Sequence, residues 1–192
     1  MKKVFIDCGA YNGSSVRKFR VLRHDSPDFE IYSFEANPVF YEDIEKTGTK
    51  LFRKAVWTSN GKKDFFIVTK DKYGSEDMRT GSSTLNEEKN KFNSVAHKRT
   101  EAFTVDTIDI STWITENFSK EDFIILKMDI EGSEYDVLNK MIVDGSIDLI
   151  DKLWIEFHHT KCGISQDTHD NLLVKLKNTG IEIDETWDSM GF

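Results

Sequence analysis

The sequence predicts an α/β fold, a mostly parallel central sheet with helices on both faces. Three observations carry this. Short apolar runs alternate with stretches of helical apolar spacing along the chain, which is what parallel strands joined by crossover helices require. One run, "FIILKMDI" at 123–130, is apolar enough to be buried on both faces, as a strand near the centre of a parallel sheet must be. Ionisable groups recur where four apolar runs stop, and ligands of such sheets sit beyond the carboxyl ends of the strands.

Element by element, "KVFID" opens the chain as a strand. Ser14 or Ser15 is placed to cap a helix carried by Val16, Phe19 and Leu22. "EIYSFEA" is the second strand. Asn37 followed by Pro38 starts a helix, a capping side chain and then a proline at the first helical position, with Phe40, Tyr41 and Ile44 on its apolar face. "KLFRKAVW" is a third strand, and "KDFFIV", after the turn "SNGK", is an extra antiparallel one. Residues 70–99 are polar, with few periodic apolar positions. Loops this long are uncommon in compact domains and often serve as lids or binding loops; the other reading is a disordered insertion. "AFTVDTI" resumes strand character and "DISTWITENF" is a short helix. After "FIILKMDI", Ser133 is placed to cap a helix on Val137, Leu138, Met141 and Ile142. "KLWIEFH" is another buried strand. Residues 167–179 form a helix on Leu172, Leu173 and Leu176, stopped by Gly180, and "IEIDETW" is the last strand.

The 192 residues fit a single domain, 1–192, interrupted by the polar insertion at about 70–99. With 38% hydrophobic and 31% charged residues the profile is that of a soluble globular protein. A net charge of −8 argues against a nucleic-acid partner, because phosphate binding relies on clustered Lys and Arg. Two cysteines, Cys8 and Cys162, are too few for a disulfide scaffold and suit reduced thiols in a cytoplasm. No apolar run approaches the ~18 residues of a membrane span, and "VFI" is too short for a signal peptide.

The strand ends carry the chemistry. The first ends at Asp7, Gly9 and Gly13, and the second at Glu35. "KMDIEG" supplies Lys127, Asp129 and Glu131, and "IEFHH" supplies Glu156, His158 and His159. An acid at the end of a second strand is placed to accept hydrogen bonds from a ribose diol, unless it is a surface carboxylate favoured by a helix N-terminus. The first turn, "DCGAYNG", is not the G-x-G-x-x-G of dinucleotide folds. A carboxylate there would repel a pyrophosphate and attract a cationic ligand. S-adenosylmethionine carries a sulfonium, an amino group and a ribose, without phosphate, and suits Asp7, Gly9, Gly13 and Glu35 better than NAD does.

The stretches "VFIDCGAYNG", "YSFEANP", "KAVWTSNGKKDFFI", "GSSTL", "FTVDTIDISTWI", "FIILKMDIEGSEYDVL" and "LWIEFH" occur in an order that resembles the FkbM-type family of S-adenosylmethionine-dependent methyltransferases, across nearly the whole chain. "SFEANP" and "LKMDIEGSEYDVL" are the most specific. The resemblance implies a Rossmann-like class I methyltransferase fold and methyl transfer, usually to a hydroxyl oxygen of a sugar or natural-product core. Only one strand is legible at the C-terminal edge, so that edge is expected to be shortened or completed by another subunit. Carried over by residue, Asp7, Gly9 and Gly13 contact the methionine part of the cofactor and Glu35 the ribose. Ala55 and Val56 flank the adenine, and Ser82 and Ser83 line the cofactor or acceptor pocket. "KMDIEG" lies next to the reactive methyl. There Asp129 takes the acceptor proton or binds Mg²⁺ or Mn²⁺. Lys127 pairs with Asp129 or polarises the acceptor, and Glu131 and Glu156 face the substrate. The competing reading is a buried ion-pair network holding the strand end. His158 is a candidate general base, His159 should point the other way, and Asp129, Glu156 and His158 form a candidate metal set. The small-molecule or glycan acceptor is not legible. Alternatives are a dinucleotide-dependent oxidoreductase and a non-catalytic cofactor-binding module.

Overall fold

The structure, a computed structural model, describes residues 1–70, 81–95 and 99–187. The chain runs β1 (Lys3–Cys8), α1 (Ser14–Leu22), β2 (Phe29–Phe34), α2 (Tyr41–Glu45), β3 (Lys50–Phe52), β4 (Ala55–Trp57) and β5 (Gly61–Lys70). It continues through α3 (Glu87–Val95), β6 (Arg99–Asp109), α4 (Ile110–Asn117), β7 (Phe123–Met128), α5 (Glu134–Asp144), β8 (Lys152–Ile155), α6 (Gln166–Asn178) and β9 (Glu182–Asp184). Six strands make one sheet in the order β3-β2-β1-β7-β8-β9, and every pairing in it is parallel. This is the expected Rossmann-like α/β architecture, with "FIILKMDI" beside β1 at the centre.

Strand alternation sorts the side chains into two cores. Val4, Ile6 and Cys8 of β1, Ile124, Leu126 and Met128 of β7, and Leu153 and Ile155 of β8 meet Ile114 of α4, Leu138 and Met141 of α5, and Leu172 and Leu176 of α6. The other face presents Phe5, Ile125 and Trp154 to Val16 and Phe19 of α1. Phe5 and Phe19 stack with ring centroids 4.1 Å apart. Burying a side chain of that size is worth about 1.5–3 kcal/mol. Register then places the chemistry: on this second face Asp7 lies beside Lys127 in the β1–β7 pair, and partnered residues of a parallel pair share a face.

Four expectations are corrected. "KLFRKAVW" is two strands: Lys54 N–H bonds back to Phe52 O at 2.9 Å, leaving β3 on the main sheet and turning β4 away. β4 instead pairs in parallel with β6, which is antiparallel to β5, in a separate three-stranded sheet. Neither Ser14 nor Ser15 caps α1; Gly13 holds that position in a left-handed conformation, and Asn12 Oδ1 accepts from Ser14 N–H. Ser133 stands at the N-cap of α5 without a capping bond. Residues 70–99 are not one loop. Thr84 bridges to Phe66 of β5, and α3 begins where Asn86 Oδ1 accepts from Lys89 N–H. The parts of that stretch at 71–80 and 96–98 lie outside the described residues.

Asn37 does start its helix, its side chain accepting from Val39 N–H ahead of Pro38–Phe40 and α2. β9 is the edge strand, parallel to β8. Among the described residues no helix is long and apolar enough to cross a membrane.

Candidate active site

A cavity of about 400 Å³ opens over the carboxyl ends of β1, β2 and β7, with residues of the smaller sheet on its other wall. Gly9 makes the close approach that forms it. Its φ is +78°, and an added Cβ would lie 1.9 Å from Asp129 O, inside the backbone of the β7 end. The Gly9 and Ala10 N–H groups both bond to Phe34 O, at 3.0 and 3.1 Å, tying the turn to β2. Gly9 lines the cavity. Gly13 does not; its φ of +80° turns the chain into α1, where a Cβ would come within 2.8 Å of Thr47 Cγ2. Gly13 therefore shapes the turn rather than touching a ligand.

Asp7 is also not on the wall. It is fully buried, with Lys127 Nζ 3.3 Å from its Oδ1. Burial pushes its carboxyl up, Lys127 pulling the other way. Its charge is spent on Lys127 beneath the turn, and the expected contact with the methionine end is replaced by an indirect role. Lys127 does reach the cavity wall, but its ammonium is occupied. It donates to Gly9 O at 2.6 Å and Cys8 O at 3.3 Å and sits 3.7 Å from Asp129 Oδ2. Burial opposes that positive charge, yet Asp7 and Asp129 outweigh it and hold the pKa above the ordinary lysine value. Lys127 cross-links two strand ends and has no donor left to polarise an acceptor.

Glu35 lies on the wall with 8% exposure. Its Oε2 accepts from Tyr11 N–H at 2.8 Å and its Oε1 from Asn37 N–H at 2.7 Å, so the carboxylate is aimed by the backbone on either side. Each oxygen retains a lone pair. Burial pushes its pKa up to about 7, the backbone bonds opposing. Ala55, Val56, Ser82 and Ser83 line the same cavity, with Phe65 and Leu85 adding apolar surface. Ser83 Oγ accepts from Val68 N–H at 3.3 Å.

Asp129 and Glu131 line the β7 side. Burial pushes Asp129 up to about 7; Lys127 lowers it, and Glu131 and Glu156 raise it. Glu156 and His158 stand behind these two, off the cavity wall. His158 is 2% exposed. Its Nδ1 lies 3.0 Å from Glu134 Oε1, and its Nε2 faces Glu131 and Glu156 at 3.4 Å and Asp129 at 3.9 Å. Burial disfavours a charged ring, but Glu134 and Glu156 overcome it and hold the pKa at about 10. Such a ring, already protonated and walled off, is no general base, and that expectation is withdrawn. β8 ends at Ile155, so strand alternation does not set the direction of His159, which lies in the short 3-10 turn after His158 and stacks on His169 at 4.2 Å.

Three participants escaped the sequence reading. Glu134 accepts from Ile130 N–H at 3.0 Å and Gly132 N–H at 2.9 Å while holding His158; it fixes the "DIEG" turn that the absent Ser133 cap does not. Lys89 of α3 is 2% exposed and meets Glu131 Oε2 at 2.6 Å. Its signal was Asn86-Glu87-Glu88, a cap followed by first-turn acids. Trp187 was read as the end of a strand; it lines the cavity and stacks on Trp154, centroids 6.4 Å apart.

These features define a Rossmann-like α/β enzyme whose cleft lies over the strand ends, built on a glycine turn and a buried acid. Residues 7–183 match the family described as the Methyltransferase FkbM domain. The chain belongs to that family, and is a methyltransferase. No curated protein and no solved structure matches the chain.

Proposed function

We propose that the protein binds S-adenosylmethionine in this cavity and methylates a hydroxyl of a sugar or similar small acceptor. The observation that carries the reading is that Glu35 and Asp129 line one cavity, the first suited to a ribose diol and the second to an acceptor proton. Ala55, Val56, Phe65 and Leu85 suit the adenine. The bound cofactor supplies an activated methyl on a positive sulfur. The chain's task is to hold the acceptor oxygen in line and to take its proton at the Asp129 carboxylate as the O–CH₃ bond forms.

Thermal unfolding with the product S-adenosylhomocysteine tests this. At a hundredfold excess over Kd the fold should gain about 2.7 kcal/mol. A shift with NAD and none with S-adenosylhomocysteine would favour the oxidoreductase reading instead.

The Glu35 carboxyl gives a pH signature. With a pKa near 7 it is partly protonated at neutral pH, whereas a ribose diol is best accepted by the ionised form. S-adenosylhomocysteine affinity should therefore rise from pH 6 to pH 8. Glu35→Gln should bind more weakly, by about 1.5–3 kcal/mol at pH 8, with that rise flattened. For the free fold the sign is opposite. A carboxyl raised from 4.5 to about 7 contributes stability that is fully present below the unfolded pKa and lost as pH rises through 7. Calorimetric titration across that range separates the two effects, and an unflattened Glu35→Gln profile would remove Glu35 from the ribose site.

A further inference from the structure

We propose that Trp187 and the N-terminus of α1 form an anion subsite that takes the carboxylate at the amino-acid end of the cofactor. This deepens the function proposed above and rests on its cofactor. Trp187 is 4% exposed and lines the cavity. Its Nε1 is buried, with no hydrogen-bond partner among the described residues. An indole N–H can only donate, and buried donors are nearly always paired. The partner that this one lacks is an acceptor atom brought by the ligand of the cavity.

The chain explains how a tryptophan so near the C-terminus comes to stand there. After β9, Asp184 Oδ1 accepts from Thr186 N–H and from Thr186 Oγ1, both at 2.8 Å. That turn carries Trp187 back over the sheet onto Trp154 of β8. Glu35 follows β2, and the strand order β2-β1-β7-β8 sets β1 and β7 between the two residues. A cofactor with its ribose at Glu35 therefore extends across the ends of β1 and β7, and its amino-acid end arrives at Trp187.

The start of α1 meets it there. Ser14 and Ser15 line the same cavity and open a helix of nine residues. Asn12 takes the Ser14 N–H. Gly13, at the N-cap, supplies no side chain to the N–H groups that follow, and no acid stands in the first turn. A helix end of that kind favours an anion. Charge agrees. Lys18 and Lys127 hold their ammonium groups 5.3 and 5.2 Å from the indole ring centre. They match the two carboxylates that Lys127 touches, Asp7 and Asp129, so these four groups set no net negative charge against a ligand carboxylate.

The test is calorimetric binding of two probes that differ only in this carboxylate, S-adenosylmethionine and its decarboxylated form. The parent chain should prefer S-adenosylmethionine at least about tenfold. Trp187→Phe should weaken S-adenosylmethionine roughly 10–150-fold, the loss of one hydrogen bond to a charged group, and leave the decarboxylated form nearly unchanged. Trp154→Phe trims the same stack from behind, away from the cavity wall, and should keep the parent's preference. The parent labelled with ¹⁵N at its four tryptophans reads the contact without any substitution: one indole N–H signal should move downfield with S-adenosylmethionine and stay in place with the decarboxylated form. A parent that binds both forms equally, or a preference that survives in Trp187→Phe, overturns the subsite and leaves the cofactor assignment standing. A parent that binds neither form overturns the cofactor assignment and the subsite with it.

Discussion

Asp129→Asn is expected to bind S-adenosylhomocysteine as tightly as the parent chain and to lose about 10²–10⁴-fold in kcat. The amide keeps the size and the place of the carboxylate while removing its charge and its basicity. An alcohol is a poor nucleophile at neutral pH, so a group that takes its proton as the new bond forms has much to contribute. Asp129 is placed for it, on the cavity wall at the end of the central strand. His158 is not, being buried behind the wall with carboxylates on both ring nitrogens. The fold should survive the change. Lys127 loses one partner but keeps Asp7 and two carbonyl oxygens, and Glu131 and Glu156 lose a like-charged neighbour. Steady-state kinetics with an authentic acceptor decide the matter. Turnover undiminished in Asp129→Asn would remove this residue as the proton acceptor.

The parts of this site that were legible in the sequence share one property: they are local. Gly9, Glu35 and Asp129 each follow an apolar run directly, so the strand that positions them can be read from the same few residues. Pairing across the sheet could not be read that way. Asp7 and Lys127 are 120 positions apart in the chain, and only the β1–β7 register brings them side by side. Without it Asp7 looked like a ligand contact, and Lys127 looked like a partner of Asp129 or a polariser of the acceptor rather than the cation beneath Asp7. His158 failed for a related reason. Its identity and its place at a strand end were plain, but its charge is set by Glu134, Glu131 and Glu156, contributed by a helix, a turn and the end of its own strand. The helix α3 was hidden by composition. Its apolar positions are few, because it is held to the site by polar contacts: Lys89 to Glu131, and Asn93 Nδ2 to Ser82 O at 2.9 Å.

Lys127→Met should destabilise the fold by about 3–5 kcal/mol, the usual loss when one partner of a buried ion pair is removed. The side chain is 1% exposed and that of Asp7 is 0%, so methionine can fill the space but leaves Asp7 as an uncompensated charge. The two carbonyl oxygens of Cys8 and Gly9 lose their donor at the same stroke. Against a total stability of about 5–15 kcal/mol this is a large share, and urea unfolding will read it directly. Acid should relieve it. Burial already raises the Asp7 pKa, and loss of Lys127 raises it further, so the variant takes up a proton on folding. A group raised in this way contributes stability below its unfolded pKa and loses it as pH rises; the deficit of Lys127→Met should therefore shrink as pH falls toward 4. Adding Asp7→Asn removes the stranded charge and should recover part of the loss at neutral pH. A deficit under about 1 kcal/mol, the size of an exposed pair, would mean that water reaches Asp7. In that case the carboxylate is open to a ligand after all, and the direct contact with the cofactor's amino-acid end regains its claim over the indirect one.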